Sequence, residues 1–388
     1  MLNIKTATGG PQSQLASRIT AMSRRPASLG AVPAGAVSLA MGEPFSGTPD
    51  HIGTAAIDAI RRGRTRYEAL TGAATLKAAI AAHLGRRHGN SFEPDHIVPT
   101  HGASAGLAAT ILAVVDPGDR VVIPEPTYSL YADHVAMAGG EVVWVANNAN
   151  GSLNVDALAG ALTGAALLIL CSPGNPSGQV IERPVLEELS SIARQADALL
   201  LSDEAYSDIL FDGRTFFSAL DLDDNSHVIC CRTFSKSYAM TGWRLGYVVA
   251  PAPIAAAINL VHRTFNGALN TFVQDAGIEA LATPQGEIDD LVAEYQVRRD
   301  IVVDALTGLE GVTFEPSSGA FYAWVRVRMG ISSDELVEQM AAAGVLVRSG
   351  REYGPSGEGA FRISFAADID NLREGLRRVV SVLGKIVR

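Results

Sequence analysis

From about residue 52 the chain carries two alternating patterns of apolar and polar positions. "IGTAAIDAIRRG" and "ATLKAAIAAHLGRRHG" repeat apolar residues at helical spacing and end in basic residues and glycine, as helices do. Between helical stretches lie short runs that are apolar at nearly every position: "RVVIP", "EVVWVA", "AALLILCS", "ALLLSDE", "HVICCRTFS" and "LGYVVA". Such runs suit strands covered on both faces. Strands alternating with helices predict a mostly parallel α/β sheet. Near residue 287 the pattern changes. "EIDDLVAEYQVRRDIVVDALTGL" predicts one long amphipathic helix, followed by the strands "AFYAWVRV", "VLVRS" and "AFRISFA" and two further helices. The first 35 residues, rich in Ala, Gly, Ser and Pro, predict a loose arm with one short helix. The expected organisation is an arm, residues 1–48, that contributes to a small α+β domain at 287–388, with a large α/β domain at 49–286 between them.

Composition narrows the picture. The 388 residues are 47% hydrophobic and 19% charged, enough for a large core, and the length favours two domains. A net charge of −10 argues against binding nucleic acid or an anionic membrane surface. The three cysteines, Cys171, Cys230 and Cys231, have neither a disulfide nor a metal spacing, so no metal is expected. No stretch reaches the roughly 18 apolar residues of a membrane span, and the N-terminus lacks a signal-peptide core. These features predict a cytoplasmic protein.

Candidate chemistry clusters where strands end. Residues 102–106, "GASAG", fit Gly-x-Ser-x-Gly between a strand and a helix. That pattern offers Ser104 either as a nucleophile or as part of a turn that holds a ligand. Lys236, between Ser235 and Ser237, follows another apolar run, and a lysine near apolar surface and other cations can attack a carbonyl. Arg244 lies eight residues on. Asp203 ends "ALLLSD", with Tyr206 three residues later. Asn175 sits in the turn "CSPGNPSG", and Tyr128 follows the strand "RVVIP". Taken singly, each has a plain alternative: a surface lysine, a helix N-cap, turn chemistry, a core aromatic. Together they converge on the crevice beyond the carboxyl ends of the strands, where α/β sheets bind ligands.

In this order, "SPGNPSG", "SDEAYSDILF" and "SKSYAMTGWRLGY" resemble the class I/II aminotransferases, the fold-type I enzymes related to aspartate aminotransferase. The likeness runs from "LAMGEP" near residue 40 to "FRISFA" near 365. It implies a large domain with a mostly parallel seven-stranded sheet flanked by helices, a smaller α+β domain, and pyridoxal 5′-phosphate (PLP) as cofactor. By the same resemblance Lys236 would hold the cofactor as a Schiff base and shuttle the substrate proton. Asp203 would pair with the pyridine nitrogen. Tyr206 and Asn175 would bond the ring oxygen, and Tyr128 would stack on the ring. Gly102, Ala103, Ser104, Ser235 and Arg244 would cradle the phosphate, which makes Ser104 a cradle residue. Arg362, Gly42 and Asn175 would meet the substrate. Tyr67 would reach the phosphate of a neighbouring subunit, making a homodimer with shared active sites.

The implied reaction moves an amino group between an L-amino acid and a 2-oxo acid by a ping-pong mechanism. The pattern departs from the family at Phe45 and Ser46, where aspartate and phenylalanine are usual. Some aspartate-specific relatives carry lysine where Ser104 stands, and no second arginine for a distal carboxylate stands out. The absent lysine tilts the expected substrate away from dicarboxylates and towards a neutral, aromatic or cationic side chain. The same residues would also serve a PLP-dependent lyase, cyclase or oxidase. An effector-binding domain is disfavoured because no helix-turn-helix domain precedes residue 50. A serine hydrolase would need Ser104 with Asp203 and His227 or His262, and would leave Lys236, Arg244 and "NPSG" without a role.

Overall fold

The fold is taken from a computed structural model that describes residues 6–7, 10–11, 13–24, 34–328 and 330–386. The six apolar runs, with the strand before "GASAG", form one seven-stranded sheet. Its strands are β1 (Ile97–Thr100), β2 (Arg120–Glu125), β3 (Glu141–Ala146), β4 (Leu167–Cys171), β5 (Leu199–Asp203), β6 (Val228–Thr233) and β7 (Gly246–Val249), in the spatial order β1-β7-β6-β5-β4-β2-β3. Every neighbouring pair is parallel except those made by β7, which runs antiparallel to both β1 and β6.

Helices cover both faces, which is why the interior strands carry no polar alternation. In β4, Leu167 and Ile169 face the cluster that includes Leu107, Val135 and Ile258, while Leu168 and Leu170 face Leu158, Leu186 and Leu189. The edge strand β3 departs from the sequence expectation. Val142, Val143 and Trp144 are only half-buried, because nothing pairs with its outer side among the described residues.

Register places the site. Cys171, Asp203 and Cys231 stand opposite one another across β4, β5 and β6, so the carboxyl ends of β4 and β5 are level and β6 runs two residues further, to Thr233. Gly246 at the start of β7 lies opposite both Thr100 and Thr233. The turn after β1, the loop after β6 and the approach to β7 therefore meet at one edge.

The C-terminal residues build a four-stranded antiparallel sheet, in the order 312–314, 322–327, 360–364, 348–349. Helices Gln285–Leu306, Ser333–Ala342 and Ile369–Ile386 accompany it. Helix Ser333–Ala342 starts with the capping box that "SSDE" encodes: Ser332 Oγ accepts from the Glu335 N–H, and Glu335 accepts from the Ser332 N–H. Val37–Ser38 pairs parallel with Val345–Leu346, and Leu39 joins the apolar cluster of these C-terminal elements. The loose arm expected over the first 35 residues lies partly outside the described residues. Its short helix is Gln14–Met22.

Beneath the level strand ends runs a buried ionic network. Glu204, the residue after Asp203, is held by Arg232 Nη2 at 2.7 Å, the Ala219 N–H at 2.9 Å and Ser218 Oγ at 2.8 Å. Burial alone would raise the Glu204 pKa, but Arg232 and these donors outweigh it and hold the carboxyl below its ordinary value. Removing one partner strands a buried charge. Arg232→Met is therefore expected to lower stability by about 3–5 kcal/mol in urea unfolding. A loss under about 1 kcal/mol would contradict the structural role.

Candidate active site

A cavity of about 460 Å³ opens where the level strand ends, the turn after β1 and the C-terminal sheet meet. Asp203, at the end of β5, lies at its floor. Its Oδ2 accepts from the Tyr131 hydroxyl at 2.6 Å and its Oδ1 from the Ala205 N–H at 3.1 Å. Burial pushes its pKa up to about 6, against the pull of those two donors. Tyr128, which packs edge-on against Tyr131 at 5.4 Å, forms part of the wall.

Lys236 follows β6 and points into the same cavity. Its Nζ donates to the Gly42 carbonyl at 2.6 Å and lies 5.6 Å from the centre of the Tyr206 ring. Withdrawal from water, with Arg362 nearby, brings its pKa down to about 8. That makes it a far better nucleophile near neutral pH than an ordinary lysine. Tyr206 bonds the Tyr322 hydroxyl at 2.7 Å, and both rings are buried. A Cβ on Gly42 would collide with that Tyr322 hydroxyl, so only glycine lets the carbonyl of residue 42 approach Lys236.

At one end the cavity is built for an anion. Helix Gly102–Val114 begins there, with Ala103 and Ser104 on the lining, so its free N–H groups and positive dipole end face inward. Gly102 has φ +78°, and a Cβ on it would meet the Arg244 guanidinium at 2.7 Å. Arg244 itself adopts φ +55°, a left-handed conformation that costs a non-glycine residue energy. Its Nη1 donates to the Thr241 carbonyl at 2.7 Å, and the side chain remains exposed to the cavity. Ser235 lies beside it, its N–H bonded to Thr233 Oγ1.

Arg362 stands at the other end, buried on the strand Ala360–Ser364. Nη1 donates to Asn175 Oδ1 at 3.0 Å and Nη2 to the Ala40 carbonyl at 2.7 Å. Its Nε finds no partner among the described residues although buried. A guanidinium has five N–H donors, so this one retains capacity for a carboxylate.

The sequence-predicted residues fall into three groups. Gly42, Ala103, Ser104, Tyr128, Asn175, Asp203, Tyr206, Ser235, Lys236, Arg244 and Arg362 line the one cavity. Gly102 lies just behind, against Arg244. Tyr67 is elsewhere, 98% exposed. Phe45 also turns away, its ring 3.5 Å from the Arg298 guanidinium and edge-on to Tyr295. Among the described residues no hydrogen bond joins Ser104 to a histidine or an acid. His227 stands at the amino end of β6, the far edge of the sheet, bonded to Ser190. His262 Nε2 accepts from the His101 N–H at 3.2 Å, and Asp203 is engaged by Tyr131.

Sequence reasoning passed over Tyr131, Tyr322, Arg348 and Glu352, which all belong to this site or touch it. Tyr131 lies within an apolar helix pattern and shows no polar signal until its hydroxyl meets Asp203.

The arrangement fits PLP on its own terms. It offers an anion cup made by a helix end and an arginine, a buried carboxylate for a ring nitrogen, an amine of lowered pKa between them, and an arginine with a free N–H for a substrate carboxylate.

Known proteins agree. The family model described as aminotransferase class I and II matches residues 34–379. The aspartate/prephenate aminotransferase of Nitrosomonas europaea is 33% identical over 366 residues, covering 89% of this chain and 92% of that one. The arginine–pyruvate transaminase of Pseudomonas aeruginosa is 32% identical, covering 88% of each. The crystal structure of an aromatic aminotransferase from Pyrococcus horikoshii superimposes with a TM-score of 0.89 at 33% identity, covering 96% of this chain and 99% of that one. The chain therefore belongs to the class I and II aminotransferases, and it is a PLP-dependent transaminase acting on amino acids and 2-oxo acids.

Proposed function

We propose that Lys236, Asp203 and Tyr206 carry the chemistry of this transaminase, and that the other lining residues hold cofactor and substrate. The carrying observation is that a lysine of lowered pKa and a buried aspartate share one cavity with a helix-end anion cup. Bound there, PLP supplies an aldehyde that condenses with amines and a protonated ring that accepts the electron pair released at the substrate Cα. Lys236 Nζ, released from its bond to the Gly42 carbonyl, would anchor the cofactor, and its free amine would move the proton at the substrate Cα. Asp203 would keep a proton on the ring nitrogen, and Tyr131, donating to Asp203 Oδ2, keeps that carboxylate oriented. Tyr206 and Asn175 would donate to the ring oxygen, and Tyr128 would cover the ring. Ala103, Ser104, Ser235 and Arg244 would hold the phosphate, with Gly102 leaving room for Arg244. Arg362 clamps the substrate α-carboxylate, beside Gly42 and Asn175.

The fully exposed ring of Tyr67 supports a homodimer in which this residue completes a neighbour's site. The large domain at 49–286 and the small domain at 287–388, joined by the arm 1–48, remain our division of the chain. Among the described residues no helix is long and apolar enough to cross a membrane, and no group of side chains could hold a metal ion. Three free cysteines, two of them fully buried, accord with the reducing cytoplasm we assign it.

The test is a spectroscopic half-reaction. The purified, PLP-loaded protein is expected to lose its cofactor aldehyde absorbance on adding an amino acid and to regain it on adding a 2-oxo acid. A lyase, cyclase or oxidase of the same fold would release product from the amino acid alone, without a return step.

A further inference from the structure

The cavity contains a second arginine close to Arg362, and that arginine already has a carboxylate. Arg348 stands directly opposite Arg362 in the antiparallel register of their strands. That spacing brings the two Cβ atoms to about 5 Å and sends both side chains to one face of the sheet. Both residues are buried and both line the cavity. Four residues on, Glu352 belongs to the short turn Gly350–Tyr353 and pairs with Arg348 Nη2. Glu352 lines the cavity as well, and only 7% of its side chain is exposed.

We propose that the Arg348–Glu352 pair is the subsite for the substrate side chain, and that Glu352 masks Arg348 so that the protein selects amino acids with uncharged side chains. The proposal rests on the reading that Arg362 takes the α-carboxylate. A free guanidinium beside Arg362 would clasp a distal carboxylate through two parallel bonds. With Glu352 in place, a second substrate carboxylate must either lie beside a like charge in a poorly solvated wall or break the Arg348–Glu352 ion pair. Both are unfavourable where water is scarce. A cationic side chain meets the same obstacle from Arg348. An uncharged side chain disturbs neither partner.

Glu352→Gln keeps the size of the side chain and removes its charge. Steady-state kcat/KM with L-glutamate and with L-methionine, against one common 2-oxo acid, gives a ratio for wild type and variant. The expected result is a glutamate-to-methionine ratio at least tenfold higher in the variant. A ratio unchanged within twofold overturns the proposal. Should Glu352→Gln fail to fold, the double variant Arg348→Met/Glu352→Met decides, because a buried ion pair often yields to apolar side chains of similar volume without loss of the fold. It is expected to raise the ratio for L-methionine over L-glutamine about tenfold and to gain nothing with L-glutamate. An unchanged ratio, or a gain with L-glutamate where no Arg348 remains, overturns the proposal. Arg362→Lys tests the underlying reading separately, since it should raise KM for every donor alike.

Discussion

Lys236→Ala is expected to slow the half-reaction by at least ~10⁴-fold, since by our proposal Lys236 is both the covalent anchor and the group that moves the proton at Cα. Rapid mixing with an amino donor measures the rate. Borohydride treatment followed by denaturation and dialysis should leave cofactor on the wild-type protein and none on the variant. The pH dependence follows from the same side chain. A pKa of about 8 leaves the Lys236 amine increasingly neutral as pH rises toward that value and essentially neutral above it. Covalent capture of PLP by the cofactor-free protein should therefore accelerate up to about pH 8 and then level off. An ordinary lysine would keep accelerating to beyond pH 10. Transamination by Lys236→Ala within a hundredfold of wild type would sink the assignment.

Asp203→Asn should lower the half-reaction rate about 10³-fold with the cofactor still bound, in line with the removal of a preorganised electrostatic partner. Asparagine fills the same space but carries no charge with which to keep the ring nitrogen protonated. Burial has already raised the Asp203 pKa to about 6. The carboxylate is therefore lost as pH falls through 6, and a cationic ring nitrogen opposite it would extend the ionised range downward. Wild-type protein should accordingly bind PLP more weakly below that pH. A near-normal rate in Asp203→Asn would show that the ring needs no counter-charge from this position.

Six strands of the large sheet were legible as apolar runs and β1 as the strand before "GASAG", and the residues at their ends could be read as one crevice. The roles proposed for Lys236, Asp203 and Arg244 came from resemblance, since each has a commonplace reading alone. Three-dimensional pairing was not legible. Tyr131 reaches Asp203 from 72 positions away, out of an apolar helix. Arg348 sits in "VLVRS", a string whose alternation says only that it is a strand, and its opposition to Arg362 depends on the register of the pair. Arg348 therefore did not stand out in the sequence, and in the structure it is already paired with Glu352. Nor was it legible that Phe45 packs onto Arg298 while Met41, Gly42 and Glu43 line the cavity.

The buried partner of Arg232 has a consequence for how the chain avoids a misthreaded state. Leu199, Leu200 and Leu201 fit an apolar environment on either side of the sheet, so hydrophobicity alone does little to oppose sliding this strand by one position. Such a slide would swap two adjacent acids, turning Glu204 toward the cofactor crevice and Asp203 toward Arg232. Arg232, the Ala219 N–H and Ser218 are spaced for the longer side chain, and only one alignment satisfies them all. The ionic network thus acts as an indexing pin, ensuring that the shorter acid faces the crevice.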